Sequence, residues 1–242
     1  MNSRILLGDQ GKKFFVKDIS QDYHSQYGFV SKKDLKKKSG IVKTNTGREL
    51  FIFESSFIDM YRKIKRGAQI VSQKDIGLIL SETGINSKST VLDAGAGSGA
   101  LCCFLANIAK KVTAYELRED FFKIVQHNIE FLGQKNITLR HKDIYEGIDE
   151  KNLDLITLDL PEPWKVIEHA SRALKPGGFL VSYSPSIPQI MDFVNGFVGR
   201  KDFAVTRISE VIERTWEVEE RKVRPKSRMI GHTGFLAFAR KN

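Results

Sequence analysis

Val91-Leu92-Asp93-Ala94-Gly95-Ala96-Gly97-Ser98-Gly99-Ala100 is an apolar strand that runs into a glycine loop and then opens a helix. Glycines at such a turn let the backbone take conformations forbidden to side chains and approach a ligand closely. Upstream, Lys74 to Thr83 places Ile76, Ile79 and Leu80 at helical spacing. Downstream, helical segments separate strand candidates at Val112 to Glu116, Ile137 to His141, Asp154 to Asp159 and Phe179 to Ser184, which follow the first at Thr90 to Asp93. Strands alternating with helices predict a parallel sheet with right-handed crossovers. A helix from Pro188 to about Gly199 and two later β runs, Val205 to Val218 and Gly234 to Ala239, complete a mostly parallel, seven-stranded α/β domain over residues 61–242. The link between those last runs, Glu219 to Thr233, is rich in Arg and Lys.

Residues 1–60 read differently. Short β runs at Arg4 to Leu7, Lys13 to Val16, Gly40 to Thr44 and Glu49 to Phe53 are punctuated by turn signals at Gly8 to Gly11 and Asn45-Thr46-Gly47. A small antiparallel N-terminal β domain follows. Between its middle strands, Ser31 to Lys38 is a basic turn or short helix, either a solvated face or a phosphate contact. Over all 242 residues, 39 Lys and Arg against 29 Asp and Glu give a formal charge of +10. That balance favours a polyanionic partner without choosing between RNA, DNA and an anionic membrane. Apolar stretches such as Leu153 to Leu160 are short and broken by Asp, whereas a spanning helix needs about 20 apolar residues, so no membrane span is expected. The start of the chain, with Asn2, Ser3 and Arg4, lacks the apolar core of a signal peptide, and the cysteines are the neighbours Cys102 and Cys103. A reducing, cytoplasmic setting is expected. The two cysteines lack a second pair at zinc spacing, and His24, His127, His141, His169 and His232 do not cluster, so no metal is expected.

The glycine loop alone admits two cofactors. Gly95, Gly97 and Ala100 fit the dinucleotide fingerprint G-x-G-x-x-G/A, and Glu116 falls near the expected ribose-binding acid. Asp93, just before the first glycine, pushes the other way: a carboxylate there repels a pyrophosphate, but it holds the cationic amino-acid end of S-adenosylmethionine directly or through water. Glu116 ends the second strand and could accept both ribose hydroxyls, in charge-assisted bonds of about 1.5 to 3 kcal/mol each. Asp143, at the end of the third, is within reach of an adenine amino group. Each acid could instead cap a helix or turn, and either cofactor would accept Glu116.

Asp159-Leu160-Pro161-Glu162-Pro163-Trp164 follows the fourth strand. Together with Lys65-Arg66-Gly67-Ala68-Gln69-Ile70, the loop Asp93 to Leu101, and Gly231-His232-Thr233-Gly234-Phe235-Leu236, it makes the chain resemble the tRNA adenine-N1 methyltransferases of the T-loop, of the archaeal and bacterial single-subunit type. The likeness covers most of the chain. It implies a Rossmann-like class I fold dependent on S-adenosylmethionine, with S-adenosylhomocysteine as product. It further implies methylation at N1 of T-loop adenosine 58, with 57 as a second candidate, and a homotetramer. Carried over by motif, the cofactor site comprises Gln69, Gly95, Gly97, Ser98, Gly99, Ala100, Leu101, Glu116, Asp143 and Ile144, joined by Asp93 from the argument above, and Asp159 faces the target base. Asp93 stands where the family often has Glu and Ala68 where it often has Pro; neither change removes a functional group.

Adenine N1 has an in-plane lone pair, so it is the better nucleophile than the exocyclic amino group. Asp159 can accept a hydrogen bond from that amino group and stabilise the positive charge that N1 methylation puts on the ring. Enzymes that methylate the amino group carry D/N/S-P-P-Y/F/W after the same strand, a pattern that Leu160 and Glu162 break. A base paired in folded tRNA must swing out, at an unstacking cost of a few kcal/mol, which backbone contacts offset. Candidate phosphate ligands are Lys32, Lys33, Lys36, Lys37 and Lys38, then Arg221, Lys222, Arg224, Lys226 and Arg228. Trp164, Cys102 and Cys103 read as core packing, and His232 as structural. The rival readings are a protein carboxyl methyltransferase, a non-catalytic RNA-binding subunit, and a nicotinamide oxidoreductase.

Overall fold

A computed structural model describes residues 3–67 and 69–242. Asn2 of the N-terminal reading and Ala68 of the Lys65 to Ile70 motif lie outside the described residues. The chain forms two compact units, Met1–Ile64 and Lys65–Asn242.

The first unit contains β1 (Arg4–Leu7), β2 (Lys13–Val16), β3 (Tyr23–Ser25), β4 (Gly28–Val30), α1 (Lys32–Leu35), β5 (Ser39–Lys43), β6 (Glu49–Glu54) and α2 (Phe57–Tyr61). Four strands make an antiparallel sheet in the order β2-β1-β6-β5. Period-2 alternation turns Leu6, Val16, Val42, Leu50 and Ile52 onto one face, where Val30 and Leu35 join them in a core. The ribbon β3–β4 was not expected, because three-residue strands are too short to show an alternating pattern. What pins it is a reciprocal pair of hydrogen bonds to the Asn45 turn: Phe29 N–H donates to Asn45 Oδ1 (2.8 Å), and Asn45 N–H to the Phe29 carbonyl (3.0 Å). The basic segment is a one-turn helix. Ser31 Oγ caps it by accepting from Asp34 N–H (3.1 Å), Leu35 is buried, and Lys37 pairs with Asp34 at 2.8 Å.

The second unit runs α3 (Gln73–Thr83), β7 (Thr90–Ala94), α4 (Ala100–Ala106), β8 (Lys111–Glu116), α5 (Glu119–Leu132), β9 (Ile137–His141), β10 (Leu153–Leu158), α6 (Ile167–Ala173), β11 (Leu174–Ser184), α7 (Ile187–Asn195), β12 (Phe203–Glu210), β13 (Trp216–Glu219), β14 (Lys222–Pro225) and β15 (Phe235–Lys241). Its seven-stranded sheet has the order β12-β15-β11-β10-β7-β8-β9. The strands from β11 to β9 are parallel, and β15 inserts antiparallel between β11 and β12. Helices α3 and α5 stop at Gly84 and Gly133, both left-handed caps. Leu92, Ile156, Leu158, Leu180, Phe193 and Ala237 share one core. The chain builds outward from β7 through β8 and β9, then returns to lay β10 on the other side of β7. Loops leaving the carboxyl ends of β7 and β10 therefore diverge, and open α/β sheets bind ligands at such a switch point.

The expected run Val205 to Val218 is two elements. β12 ends at Glu210, and β13 pairs with β14, a strand inside the expected link, around the two-residue turn Glu220-Arg221, with Glu220 at φ 52°. Alternation alone cannot show this break, since Trp216 and Val218 continue the period. The charges decide the partner: Glu217 faces Arg224 (3.0 Å) and lies 3.6 Å from Lys222, which is also 3.6 Å from Glu219. No helix among the described residues is long and apolar enough to cross a membrane.

Candidate functional site

Three glycines of the loop, Gly95, Gly97 and Gly99, have φ of 79°, 56° and 75°, the region that favours glycine. The N–H groups of Gly95 and Ala96 donate to the Tyr115 carbonyl (3.1 and 3.2 Å), which fastens the turn to β8. A Cβ on Gly95 would lie 2.1 Å from the carbonyl oxygen of Asp159. The loop and the end of β10 thus touch backbone to backbone. Ser98 Oγ accepts from Gly67 N–H (2.9 Å), and Ala100 and Leu101 are buried in the first turn of α4.

Around this loop stand the acids. Glu116, the last residue of β8, is buried; its Oε2 accepts from Gly97 N–H (2.7 Å) and its Oε1 from Arg118 N–H (2.8 Å). Each oxygen keeps a second lone pair for a ligand hydroxyl. Asp93 is 1% exposed. Its Oδ1 accepts from Thr157 Oγ1 (2.6 Å), while its buried Oδ2 has no partner among the described residues. Burial pushes this carboxyl up to about 7, with help from Asp159 and Glu116 and against the Thr157 hydrogen bond and the nearby Cys102 N–H. A buried acceptor without a donor costs about 1 to 3 kcal/mol, so the arrangement asks for a cationic or hydrogen-bonding ligand. Asp93 shares a narrow cavity of ≈ 20 Å³ with Gln69, Gly95, Gly97, Ser98 and Asp159, which is room for a bridging water.

Asp159 follows β10 directly. It is half-buried, no hydrogen bond holds its side chain among the described residues, and burial together with the nearby Glu116 pushes it up to about 6. A wider cavity of ≈ 460 Å³ collects Gln69, Glu116, Asp143, Ile144 and Asp159 at the carboxyl ends of β8, β9 and β10. Asp143 lies two residues beyond β9 rather than at its end. Its Oδ1 caps the single turn Ile144–Glu146 by accepting from Tyr145 N–H (2.8 Å), so it is a cap and a cavity wall at once. Ala100 and Leu101 line the narrow cavity, and Gly99 lines neither, serving as the left-handed N-cap of α4. This donor set fits S-adenosylmethionine. A buried carboxylate with one unpartnered oxygen suits its ammonium, the Glu116 lone pairs suit its ribose, and the three acids offer nothing to a pyrophosphate.

Sequence reasoning missed the residue that holds the site together. Asn128 on α5 is fully buried; its Oδ1 accepts from Lys65 N–H, and its Nδ2 donates to the carbonyls of Lys65 and Ser98, all at 2.8 Å. A polar residue in phase with Val125, Phe131 and Leu132 on the buried face of α5 was the available signal. The Gly231 to Leu236 motif is likewise bound into the fold. Tyr183 Oη donates to the Thr233 carbonyl (2.7 Å), and Gly234 sits against the Tyr183 ring, where a Cβ would come within 2.5 Å. His232 bridges Glu210 (2.6 Å) and the Pro185 carbonyl (3.0 Å), partners that raise its pKa above the ordinary value, Glu210 foremost. Cys102 and Cys103 are buried, and Trp164 packs partly buried against the core. Lys37, Lys222 and Arg224 are in ion pairs with Asp34 or Glu217. Among the described residues no cluster of His, Cys, Asp and Glu is placed to hold a metal ion.

Residues 62–227 match a family model described as tRNA methyltransferase complex GCD14 subunit. TrmI of Methanocaldococcus jannaschii, named a tRNA (adenine(57)-N(1)/adenine(58)-N(1))-methyltransferase, is 34% identical across 98% of this chain and 94% of its own. TrmI of Thermus thermophilus, named a tRNA (adenine(58)-N(1))-methyltransferase, is 34% identical across 84% of this chain and 81% of its own. Among solved structures, a SAM-dependent O-methyltransferase from Thermotoga maritima aligns with a TM-score of 0.86 at 30% identity, covering 99% of this chain and 92% of its own. The tRNA (m1A58) methyltransferase TrmI from Aquifex aeolicus shares the fold with a TM-score of 0.83 at 22% identity, covering 99% and 96%.

Proposed function

The chain belongs to the tRNA methyltransferase family whose model spans residues 62–227, and from that membership we propose that it transfers a methyl group from S-adenosylmethionine to N1 of an adenosine in the T-loop of tRNA. Position 58 is the target, with 57 the second candidate because the Methanocaldococcus jannaschii relative carries both positions in its name. The observation that carries the reading is the unpartnered carboxyl of Asp159, held between the glycine loop and the cavity.

S-adenosylmethionine, when bound, supplies a methyl carbon already activated by its sulfonium leaving group, and S-adenosylhomocysteine is the product. Asp93 would take its ammonium end, Glu116 its ribose, and Gln69, Asp143 and Ile144 its base. The work left to the chain is orientation, which contributes about 7 to 11 kcal/mol in well-aligned reactions. Asp159 accepts a hydrogen bond from the amino group of the target adenine and thereby presents N1. Because N1 carries a lone pair and no proton, no general base is needed. The ring becomes cationic as the bond forms, and the Asp159 charge stabilises it. Asp93, Glu116 and Asp159 standing together also argue against a non-catalytic subunit. We place the enzyme in the cytoplasm with its tRNA.

A labelled-cofactor assay on an unmodified tRNA transcript, followed by nucleoside analysis, tests the reading. Label is expected in 1-methyladenosine; no label in any RNA overturns it, and label in 2′-O-methylribose or in base-labile peptide esters points to another methyltransferase. In the same assay, Glu116→Ala is expected to raise the Kd for S-adenosylmethionine about tenfold or more, with a smaller effect on turnover at saturating cofactor.

The assembly we propose is a homotetramer, and the hairpin β13–β14 supports it. Its register puts Trp216, Val218, Val223 and Pro225 on one face and the paired charges on the other. Trp216 and Val218 are 54% and 72% exposed. A two-stranded hairpin alone is marginally stable, and an exposed apolar face of this kind marks an interaction surface; a second copy of the chain would cover it, and family resemblance supplies the number four. Trp216→Ser with Val218→Ser is expected to lower the mass seen by light scattering below that of the wild-type assembly. An unchanged mass removes the hairpin from the interface.

A further inference from the structure

A third cavity, of ≈ 610 Å³, adjoins the two described above, sharing Gln69 with both and Ile70 with the narrower one. Arg66, Lys74 and Arg228 line it against one acid, Glu213, and its apolar wall is Ile70, Met229 and Ile230. Lys74 differs from the surface lysines of this basic chain. Its side chain is 11% exposed, and its Nζ donates to Asp75 Oδ1 (2.8 Å) and Thr233 Oγ1 (2.6 Å). Asp75 is fully buried, and its Oδ2 accepts from Ser72 Oγ (2.8 Å) and Thr233 Oγ1 (2.7 Å). Two of the three N–H bonds of the ammonium are thus spoken for, which fixes the direction of the third. An already immobilised lysine also loses little rotamer freedom when it meets a ligand.

The charges divide the surroundings of Gln69 in two. On one side stand Asp93, Glu116 and Asp159; on the other, Arg66, Lys74 and Arg228 outnumber Glu213 and the buried Asp75. A nucleotide swung out of an RNA fold brings a neutral base and anionic linkages, and the acids that suit the base repel the linkages. We infer that the third cavity seats the backbone phosphate beside the target adenosine, with the third N–H of Lys74 on a phosphate oxygen and Arg66 and Arg228 flanking it. This rests on the tRNA reading above. Ile70, Met229 and Ile230 lie under the neighbouring ribose and base. Asp75 and Thr233 are positioning residues that act through Lys74, which gives the Gly231 to Leu236 motif a task that neither cofactor cavity explains.

The test uses the full chain and a T-arm hairpin RNA carrying a neutral methylphosphonate on one or the other side of the target adenosine. One of the two replacements is expected to raise the KM for RNA about 10- to 100-fold with kcat little changed. Lys74→Met is expected to show the same loss on native RNA and no further loss from that neutral linkage. It should also lower the slope of log K against log salt by about 0.7 to 0.9, which a merely structural role would not move. Thr233→Val should give a smaller loss of the same kind, with cofactor affinity unchanged. Should Lys74→Met fail to fold, Arg228→Ala, on an exposed segment, carries the same comparison, and the modified RNAs read out on the wild type regardless. The inference is overturned if both neutral linkages leave the wild-type KM unchanged, or if linkage and variant losses multiply. Absence of 1-methyladenosine from the wild-type reaction would instead sink the tRNA methylation reading, while direct binding of the modified RNAs would still report on the phosphate seat.

Discussion

Asp159→Ala is expected to lower kcat for methyl transfer by about 10²- to 10³-fold and to leave the Kd for S-adenosylmethionine within a few-fold, as measured by single-turnover labelling and calorimetry. The side chain satisfies no donor in the fold, so its removal leaves nothing unpaired. Asp159→Asn separates two contributions, because the amide keeps an acceptor for the adenine amino group and loses the charge; an intermediate rate is expected. The pH profile gives an independent signature. Burial and Glu116 push Asp159 up to about 6, and the ionised form is the active one. For the wild type, kcat/KM should therefore fall as pH drops through the range from about 7, where Asp93 is protonated, to about 6, where Asp159 follows. Cofactor charge favours the ionised carboxylates, so the corresponding fall in kcat, which reports the loaded enzyme, should come at lower pH. Asp159→Asn should lose the contribution near 6 and keep that of Asp93. Full activity in the alanine variant, or an unchanged profile in the asparagine variant, removes Asp159 from the reaction.

Gly95→Ala is expected to damage folding and chemistry together. The new Cβ would lie 2.1 Å from the Asp159 carbonyl oxygen and 3.0 Å from its carbonyl carbon, and neither backbone atom can rotate away. Asp159 N–H is bonded to the Ala94 carbonyl at 3.0 Å, so relief of the clash must move the end of β10 and Asp159 with it. A misplacement of about 1 Å can cost about 10²-fold in rate. The left-handed φ of 79° adds roughly 1 to 2 kcal/mol for a residue with a Cβ, or a fall in Tm of roughly 2 to 8 °C in a domain of this size. Gly97→Ala is the control. Its Cβ would have as its nearest protein neighbour the Gly95 carbonyl oxygen at 3.8 Å, so it carries the dihedral strain without the clash with Asp159; because Gly97 lines both cofactor cavities, the comparison is made at saturating S-adenosylmethionine, where the rate should fall much less. Equal losses in the two variants would mean that the contact with β10 does not matter.

The alternation of apolar strands and amphipathic helices, and the glycine loop, made the larger unit legible because each rests on a local period of several residues. Failures occurred where the deciding partner is distant. β3 and β4 are held by Asn45, and β13 is separated from β12 by a charge match with β14 that no single-strand pattern contains. The acids were visible as residue types at strand ends, but their states were not. That Asp93 has one bonded and one orphaned oxygen depends on Thr157 in a neighbouring strand, and that Asp143 is half committed to a cap depends on the turn after it. The lysines of the late segment looked alike in sequence, and only the fold pairs Lys222 with acids on the adjoining strand.

The Asn128 clamp bears on how the protein comes into being during synthesis. Lys65 and Asn128 are 63 positions apart, so a nascent chain that has emerged only as far as α4 carries the complete glycine loop and the Gly67–Ser98 hydrogen bond but lacks the Asn128 bonds to Lys65 and Ser98. The three-bond clamp on loop and segment closes once α5 has left the ribosome and docked. Capacity for the methyl donor is thus acquired by the assembled half-sheet rather than by the glycine-rich peptide that announces it.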